Sequence, residues 1–252
     1  TSPHAFYAID KASQTGFETI ILTNGALIHR GDMKILLGLK LIRISMDSFN
    51  AETYKQLRGE DADLDRAQRN LIKLINLKQA VGSNTIIGIS ALILRQNINE
   101  LGSIIEEASR IGVNFIDIKA EYTSDPLLAL DKSQVKEVIN EINERFGPSY
   151  NGMAINLTNE LFEEGVFLGN ECWTNRIKTV IDPFGNVYPC CTWAHPGYIK
   201  RRNVMGNVKD FGVSLKYLWE KTMEFRKQIV PKQECAFCSF GARPIVMAHG
   251  AP

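Results

Sequence analysis

The first 171 residues of this 252-residue chain contain no cysteine. That absence argues against a disulfide framework spread along an oxidised, secreted protein. Charge of one sign is missing too: 29 basic and 28 acidic side chains leave a net charge of +1. Such a balance gives no electrostatic case for nucleic acid or an anionic membrane as a partner. No apolar run reaches the roughly 18 residues that span a bilayer, and no leader with a basic start and an apolar core is present. A soluble, cytoplasmic protein is the expectation. Histidine is sparse at four residues. His195 lies near a cysteine loop without ligand spacing to it, while His4, His29, His249 and Arg58 read as surface or loop residues. Repeats and low-complexity tracts are also lacking.

What is present is an ordinary globular composition, 44% hydrophobic and 23% charged, able to bury a core unaided. Strand and helix patterns alternate from the start to about residue 122. Ser2-Pro3 suits a helix start, and Gly16 a helix end. Residues 18–23 (ETIILT) read as a buried strand and 32–38 as a short helix. Residues 41–47 (LIRISMD) form the next strand. Leu64, Ala67, Leu71, Leu74 and Leu77 recur at helical spacing. Residues 85–94 and 114–121 are further strands flanking a helix at 98–111, and 131–146 is another helix, with 153–158 a further strand. This alternation predicts a parallel sheet covered by helices, as a barrel or partial barrel. The chemistry of such folds sits at the C-terminal strand ends. Here those ends are polar: Thr23-Asn24-Gly25, Ser45-Met46-Asp47-Ser48, Arg95-Gln96-Asn97 and residues 119–122.

After Gly169 the texture changes, and all five cysteines fall between Cys172 and Cys238. Asp182-Pro183-Phe184-Gly185-Asn186 marks a turn between two short β-prone runs, and a helix is expected at 214–228. A boundary is placed near residue 165, giving domains 1–165 and 166–252. Cys172, Cys190, Cys235 and Cys238 offer four thiolates, which suit a cubane iron–sulfur cluster or a tetrahedral zinc ion. Cys191, beside Cys190, reads as a spare small hydrophobe or a hydrogen-atom donor.

The run Cys172-x12-Gly185-x4-Cys190, with "IDPFGNVYPCCTW", "MGNV", "LKYLWEK" and "ECAFC", resembles the twitch/SPASM extension of radical S-adenosylmethionine (SAM) enzymes. Four ligands resemble the shorter twitch form, with one auxiliary [4Fe-4S] cluster. "IILTNG", "IRISMDSFNAETYKQLRG", "ISALILRQNINEL" and "GVNFIDIKAE" resemble the third to sixth strand units of the radical SAM partial barrel. The resemblance implies an α/β fold: a partial (β/α)6 TIM-like barrel without its first two strands, followed by a small α+β cluster-binding domain. It also implies that Ser45 contacts the SAM ribose or amino-acid portion, with Asp47 bracing that loop or, more plainly, capping the helix near Ala51. Asn24 would lie beside cofactor and substrate, Lys119 would meet SAM through its backbone, and Arg95 would face substrate.

The resemblance has a gap. CxxxCxxC, which holds the catalytic [4Fe-4S] cluster, and the glycine-rich "GGEP" are absent. The chain as written is expected to be part of a longer protein and not to cleave SAM alone. For the whole enzyme the resemblance implies a 5'-deoxyadenosyl radical that abstracts hydrogen from a small natural product. A sugar or aminocyclitol, oxidised or epimerised, is the first expectation, with Cys191 as hydrogen donor in an epimerisation and flavodoxin or ferredoxin as electron donor. A peptide-modifying enzyme and a non-catalytic iron–sulfur or zinc scaffold are the alternatives.

Overall fold

The structure is a computed structural model. It describes residues 4–120, 128, 130–158, 172, 174–191, 193–194, 204–210 and 214–230. The chain divides into two compact units, Thr1–Asn159 and Glu160–Pro252. The boundary expected near residue 165 lies outside the described residues.

Local rules set most elements of the first unit. Helix α1 (Ala5–Gln14) ends at Thr15 before Gly16, whose φ of +84° suits glycine; Ser2 and Pro3 lie outside the described residues. Strand β1 (Ile20–Thr23) follows, then a 3₁₀ turn and α2 (Met33–Leu36), capped by the Asp32 carboxylate. Strand β2 (Leu41–Ser45) leads to α3 (Ala51–Arg58) and α4 (Leu64–Val81). Asp63 caps α4, and Gly82 ends it in the left-handed region. Then come β3 (Ile86–Ile93), α5 (Leu101–Ile111) and β4 (Phe115–Ala120). Helix α6 (Lys132–Phe146) opens with a capping box between Asp131 and Gln134. Two strands finish the unit, β5 (Ser149–Tyr150) and β6 (Met153–Thr158).

The strands form one sheet in the order β1-β2-β3-β4-β6-β5, parallel throughout except for the short β5–β6 hairpin. Helices cover one face. Ile42, Ile44, Ile87, Ile89, Ile116 and Ile118 are buried there with Leu71 and Leu74 of α4 and Ile104 and Ile105 of α5. The opposite, inner face has one tight constraint. A Cβ on Gly88 would come within 2.3 Å of the Phe115 ring, so glycine is needed where the two strands share that face.

One strand differs from the sequence reading. β1 was expected to be buried, yet Ile20 and Leu22 are 54% and 60% exposed. β1 is the edge of the described sheet, so only β2 flanks it and its inner-face side chains lack a second neighbour.

The second unit is built around α7 (Thr174–Ile177), a three-stranded antiparallel sheet of β7 (Val180–Ile181), β8 (Asn186–Tyr188) and β9 (Gly206–Asn207), and α8 (Leu215–Lys227). Val187, Tyr188, Trp193, Leu218 and Ile229 are buried in it, and Trp193 meets Phe225 edge to face at 5.9 Å. Among the described residues no helix is long and apolar enough to cross a membrane.

Candidate functional site

The inner face of the first sheet carries a polar layer. In β2 the side chains alternate, Ile42 and Ile44 being fully buried while Arg43 and Ser45 are half-buried on the other face. Register then runs straight across the sheet: Ser45 pairs with Ser90, Ser90 with Asp117, and Asp117 with Asn156. Parallel partners share a face, so these four side chains form one row. The Asp117 carboxylate is its hub. It accepts hydrogen bonds from Arg43 Nη1 at 2.8 Å and Asn156 Nδ2 at 3.0 Å, and Lys119 Nζ lies 3.5 Å away. Two cations share one carboxylate here, which leaves one positive charge in surplus beside the Ser45 and Ser90 hydroxyls. That combination suits a ligand rich in carbonyl or carboxylate oxygens.

The rim above this layer is held by a second network. The Asp47 carboxylate, buried at 2% exposure, accepts the Leu92 N–H at 2.9 Å and is ion-paired with Arg58. Asn97, fully buried, donates to the Asp47 carbonyl at 2.6 Å and the Leu92 carbonyl at 2.9 Å, and accepts from Leu94 N at 2.9 Å. The Glu100 carboxylate takes the Thr53 hydroxyl at 2.6 Å and the Ser48 hydroxyl. The loops after β2 and β3 are thereby one rigid piece. One reading is corrected here. Asn50, not Asp47, caps α3, accepting from Glu52 N at 2.9 Å and Thr53 N at 3.2 Å. Arg58 is exposed, as its sequence reading has it, and is also the counter-ion of Asp47, because one α3 length carries it back over the β2 end.

The remaining expected site residues of this unit are more peripheral. Asn24 is exposed and accepts Ala26 N at 3.2 Å, the local turn its sequence suggests. Arg95 is exposed, and its N–H donates to the Leu128 carbonyl at 3.0 Å. It also adds a minor pull on Asp131, whose carboxyl is held below its usual range chiefly by the Ser133 hydroxyl and the Gln134 N–H. Exposed His29 meets Asn70, which donates to the Gly25 carbonyl at 2.9 Å and so fixes the turn after β1. Sequence reasoning missed Arg43, Ser90, Asp117 and Asn156. For Arg43 and Asp117 the signal was available as polar residues at every second position of "LIRIS" and "FIDIKA", whereas Ser90 and Asn156 are lone polar residues in the interiors of "IIGISALI" and "MAINLT".

In the second unit Cys172, Cys190 and Cys191 are half-buried. Cys235, Cys238 and His195 lie outside the described residues. The turn before Cys190 is built by Asp182, whose carboxylate accepts Phe184 N at 2.8 Å, Asn186 N at 2.9 Å, Asn186 Nδ2 at 2.9 Å and the Tyr188 hydroxyl at 3.1 Å. Gly185 completes it at φ +92°, where a Cβ would lie 2.8 Å from Asn207. Partial desolvation pushes the Asp182 carboxyl up, but the four hydrogen bonds outweigh it and hold the group below its usual value. A depressed carboxyl stabilises the folded form above its ordinary pKa, and loses that contribution as pH falls through the lowered value. The acid unfolding of this unit is thus expected to steepen below about pH 4, and Asp182→Asn to flatten that dependence. Thermal unfolding followed against pH checks it; equal slopes in the two proteins would remove Asp182 from the account.

Four thiols from Cys172, Cys190, Cys235 and Cys238 have the donor chemistry of a cubane iron–sulfur site, each cysteine offering one thiolate. Comparison with known proteins identifies a domain over the same stretch of chain. Residues 172–239 match SPASM, an iron–sulfur cluster-binding domain. The mycofactocin maturase MftC of Mycolicibacterium smegmatis is 25% identical over 205 residues, covering 78% of this chain and 49% of MftC. Streptococcus suis SuiB bound to S-adenosylmethionine superposes with a TM-score of 0.58 at 15% identity, over 85% of this chain and 50% of SuiB. A structure of anSMEcpe with bound AdoMet and the Cp18Cys peptide gives 0.53 at 17% identity, over 88% of this chain and 63% of that one. The chain spans about half the length of the curated relative it matches.

Proposed function

From a radical SAM partial barrel joined to a SPASM iron–sulfur cluster-binding domain, we propose that this chain is the substrate-facing and auxiliary-cluster part of a radical SAM enzyme that modifies a peptide. The observation that carries the reading is the inner row Ser45–Ser90–Asp117–Asn156 with its Arg43 and Lys119 flanks. SAM, with a catalytic cluster, supplies one-electron hydrogen-abstraction chemistry when bound. The residues of the chain hold and orient. Ser45 offers a hydroxyl to the cofactor, and the Asp47–Arg58–Asn97 network keeps the loop after it from moving. Asp117 pre-orients Arg43 and Lys119 toward substrate oxygens, so their rotamer entropy is already spent before binding. Cys172, Cys190, Cys235 and Cys238 hold an auxiliary [4Fe-4S] cluster, and Asn24 and Arg95 contact cofactor and substrate from the open strand ends.

A peptide is favoured over the sugar-like substrate of the sequence reading for two reasons. MftC is named a maturase, SuiB has been solved with the precursor peptide SuiA, and anSMEcpe with the Cp18Cys peptide. The inner face also spreads its donors over several strands, the Ser45 and Ser90 hydroxyls with the Arg43 and Lys119 cations, which fits the spaced carbonyls of an extended backbone better than one compact ring. The test uses the full-length protein, reconstituted anaerobically with iron and sulfide, then given SAM, dithionite and either short synthetic peptides or aminocyclitols. Expected are 5'-deoxyadenosine release, peptide-dependent consumption, and about tenfold weaker SAM binding in Ser45→Ala, the effect of roughly one good hydrogen bond. Consumption of aminocyclitol alone would overturn the peptide reading. Full iron without SAM cleavage would overturn the enzyme reading.

A further inference from the structure

Helix α8 buries a stripe of Leu218, Thr222 and Arg226. Arg226 is the unusual member, a guanidinium with 0% exposure. Its donors reach the Asn175 carbonyl at 2.5 Å, the Lys178 carbonyl at 2.8 Å, and the hydroxyls of Thr222 at 3.2 Å and Thr179 at 3.3 Å. Its Cζ lies 4.1 Å from the centre of the Trp219 ring. The hydrogen bonds are therefore satisfied, but every partner is neutral. Among the described residues no carboxylate comes within ion-pair distance of Arg226. Burial lowers its pKa from the ordinary value, yet arginine stays charged at neutral pH. A fully buried charge with no counter-charge costs several kcal/mol and is seldom kept without compensation.

The position of Arg226 indicates what compensates it. Asn175 is bonded to it twice, its amide donating to the Arg226 carbonyl at 3.0 Å and its own carbonyl accepting from the guanidinium. Asn175 lies three positions after Cys172, and Lys178 and Thr179 precede β7 of the hairpin that ends at Cys190. Arg226 thus ties α8 to the chain between the first two cysteines of the cluster motif. Four thiolates around a cubane carry a net negative charge in both redox states, and more of it when reduced.

We propose that Arg226 is the resident counter-charge of the auxiliary iron–sulfur cluster, raising its reduction potential while it pins the Cys172 segment to α8. The inference rests on the reading that residues 172–239 hold such a cluster. A fixed positive charge favours the reduced, more negative form, so removing it makes reduction harder. The effect operates through the field of Arg226 and not through a bond to iron.

The test is an anaerobic redox titration of the full-length, iron-loaded protein, following the auxiliary cluster by electron paramagnetic resonance. Arg226→Met is expected to retain iron and to reduce about tenfold less readily at a given potential, a shift of about 59 mV to the negative for one electron. Arg226→Lys keeps the charge and loses the fork, and its potential is expected to stay with the wild type. Full iron and an unmoved potential in Arg226→Met would overturn the proposal. If Arg226→Met does not hold iron, Arg226→Lys decides: the same tenfold loss there would show that geometry, not charge, sets the potential. Zinc, or no metal, on the cysteines of the wild type would instead remove the cluster reading itself.

Discussion

Alanine in place of Cys190 is expected to remove about four iron atoms per chain from the full-length protein, while alanine in place of Cys191 leaves the iron content intact. The two thiols are neighbours in sequence and both are half-buried, so accessibility does not separate them. Their surroundings do. Cys190 directly follows the hairpin that Asp182 and Gly185 shape, and its carbonyl is engaged by Ala194 N at 3.1 Å, which holds its backbone still. Cys191 has its sulfur 4.0 Å from the Lys178 ammonium, a partner that serves it without a metal. Iron and acid-labile sulfide, measured after anaerobic reconstitution, decide the matter. Loss of iron from Cys191→Ala with full iron in Cys190→Ala would exchange the two roles. Unchanged iron in both would move the fourth ligand elsewhere in the chain.

Asp47→Ala is expected to destabilise the first unit by about 3 kcal/mol, the lower end of the range for breaking a buried ion pair. Its carboxylate is almost wholly covered, whereas the Arg58 side chain is 32% exposed and regains water when its partner goes. The larger share of the loss comes from Leu92 N–H, left without its acceptor inside the sheet. Asp47→Asn keeps an acceptor for that N–H and is expected to lose about half as much. In a domain of this size the alanine change corresponds to a fall in Tm of roughly 6–12 °C. Urea unfolding of the two variants separates the contributions; a loss below about 1 kcal/mol in Asp47→Ala would reduce the pair to a surface contact. Because the same residue joins the loops after β2 and β3, weaker SAM binding is expected to accompany the loss of stability.

Much of the architecture was legible in residues a few positions apart. Asp32, Asn50, Asp63, Asp131 and Ser214 each cap a helix by a bond to a neighbour two or three residues on. Glycines 82 and 112 end helices in a conformation that other residues resist. The β-branched runs between them became the parallel sheet, and the spacing of Cys172, Gly185 and Cys190 marked the SPASM segment. These features are local, and short-range sterics and hydrogen bonding suffice to specify them.

Only the tertiary structure decided which polar residues work together. Arg43 meets Asp117 across 74 positions, Asn97 meets Asp47 across 50, and Arg226 meets Asn175 across 51. Each pairing depends on strand register or on which helix face is buried, and a slip of one residue in a strand would turn its whole row of side chains to the other face. The burial of β1 was misjudged for the same reason: an apolar strand reads alike at the centre of a sheet and at its edge, and the difference lies in its neighbours. The sequence by itself determined the elements, their caps and the cysteine ligands on offer. The assembled fold determined that Asp117 gathers two cations on the inner face and that Arg226 is buried without a counter-ion among the described residues, because such energies arise only when distant segments exclude water together.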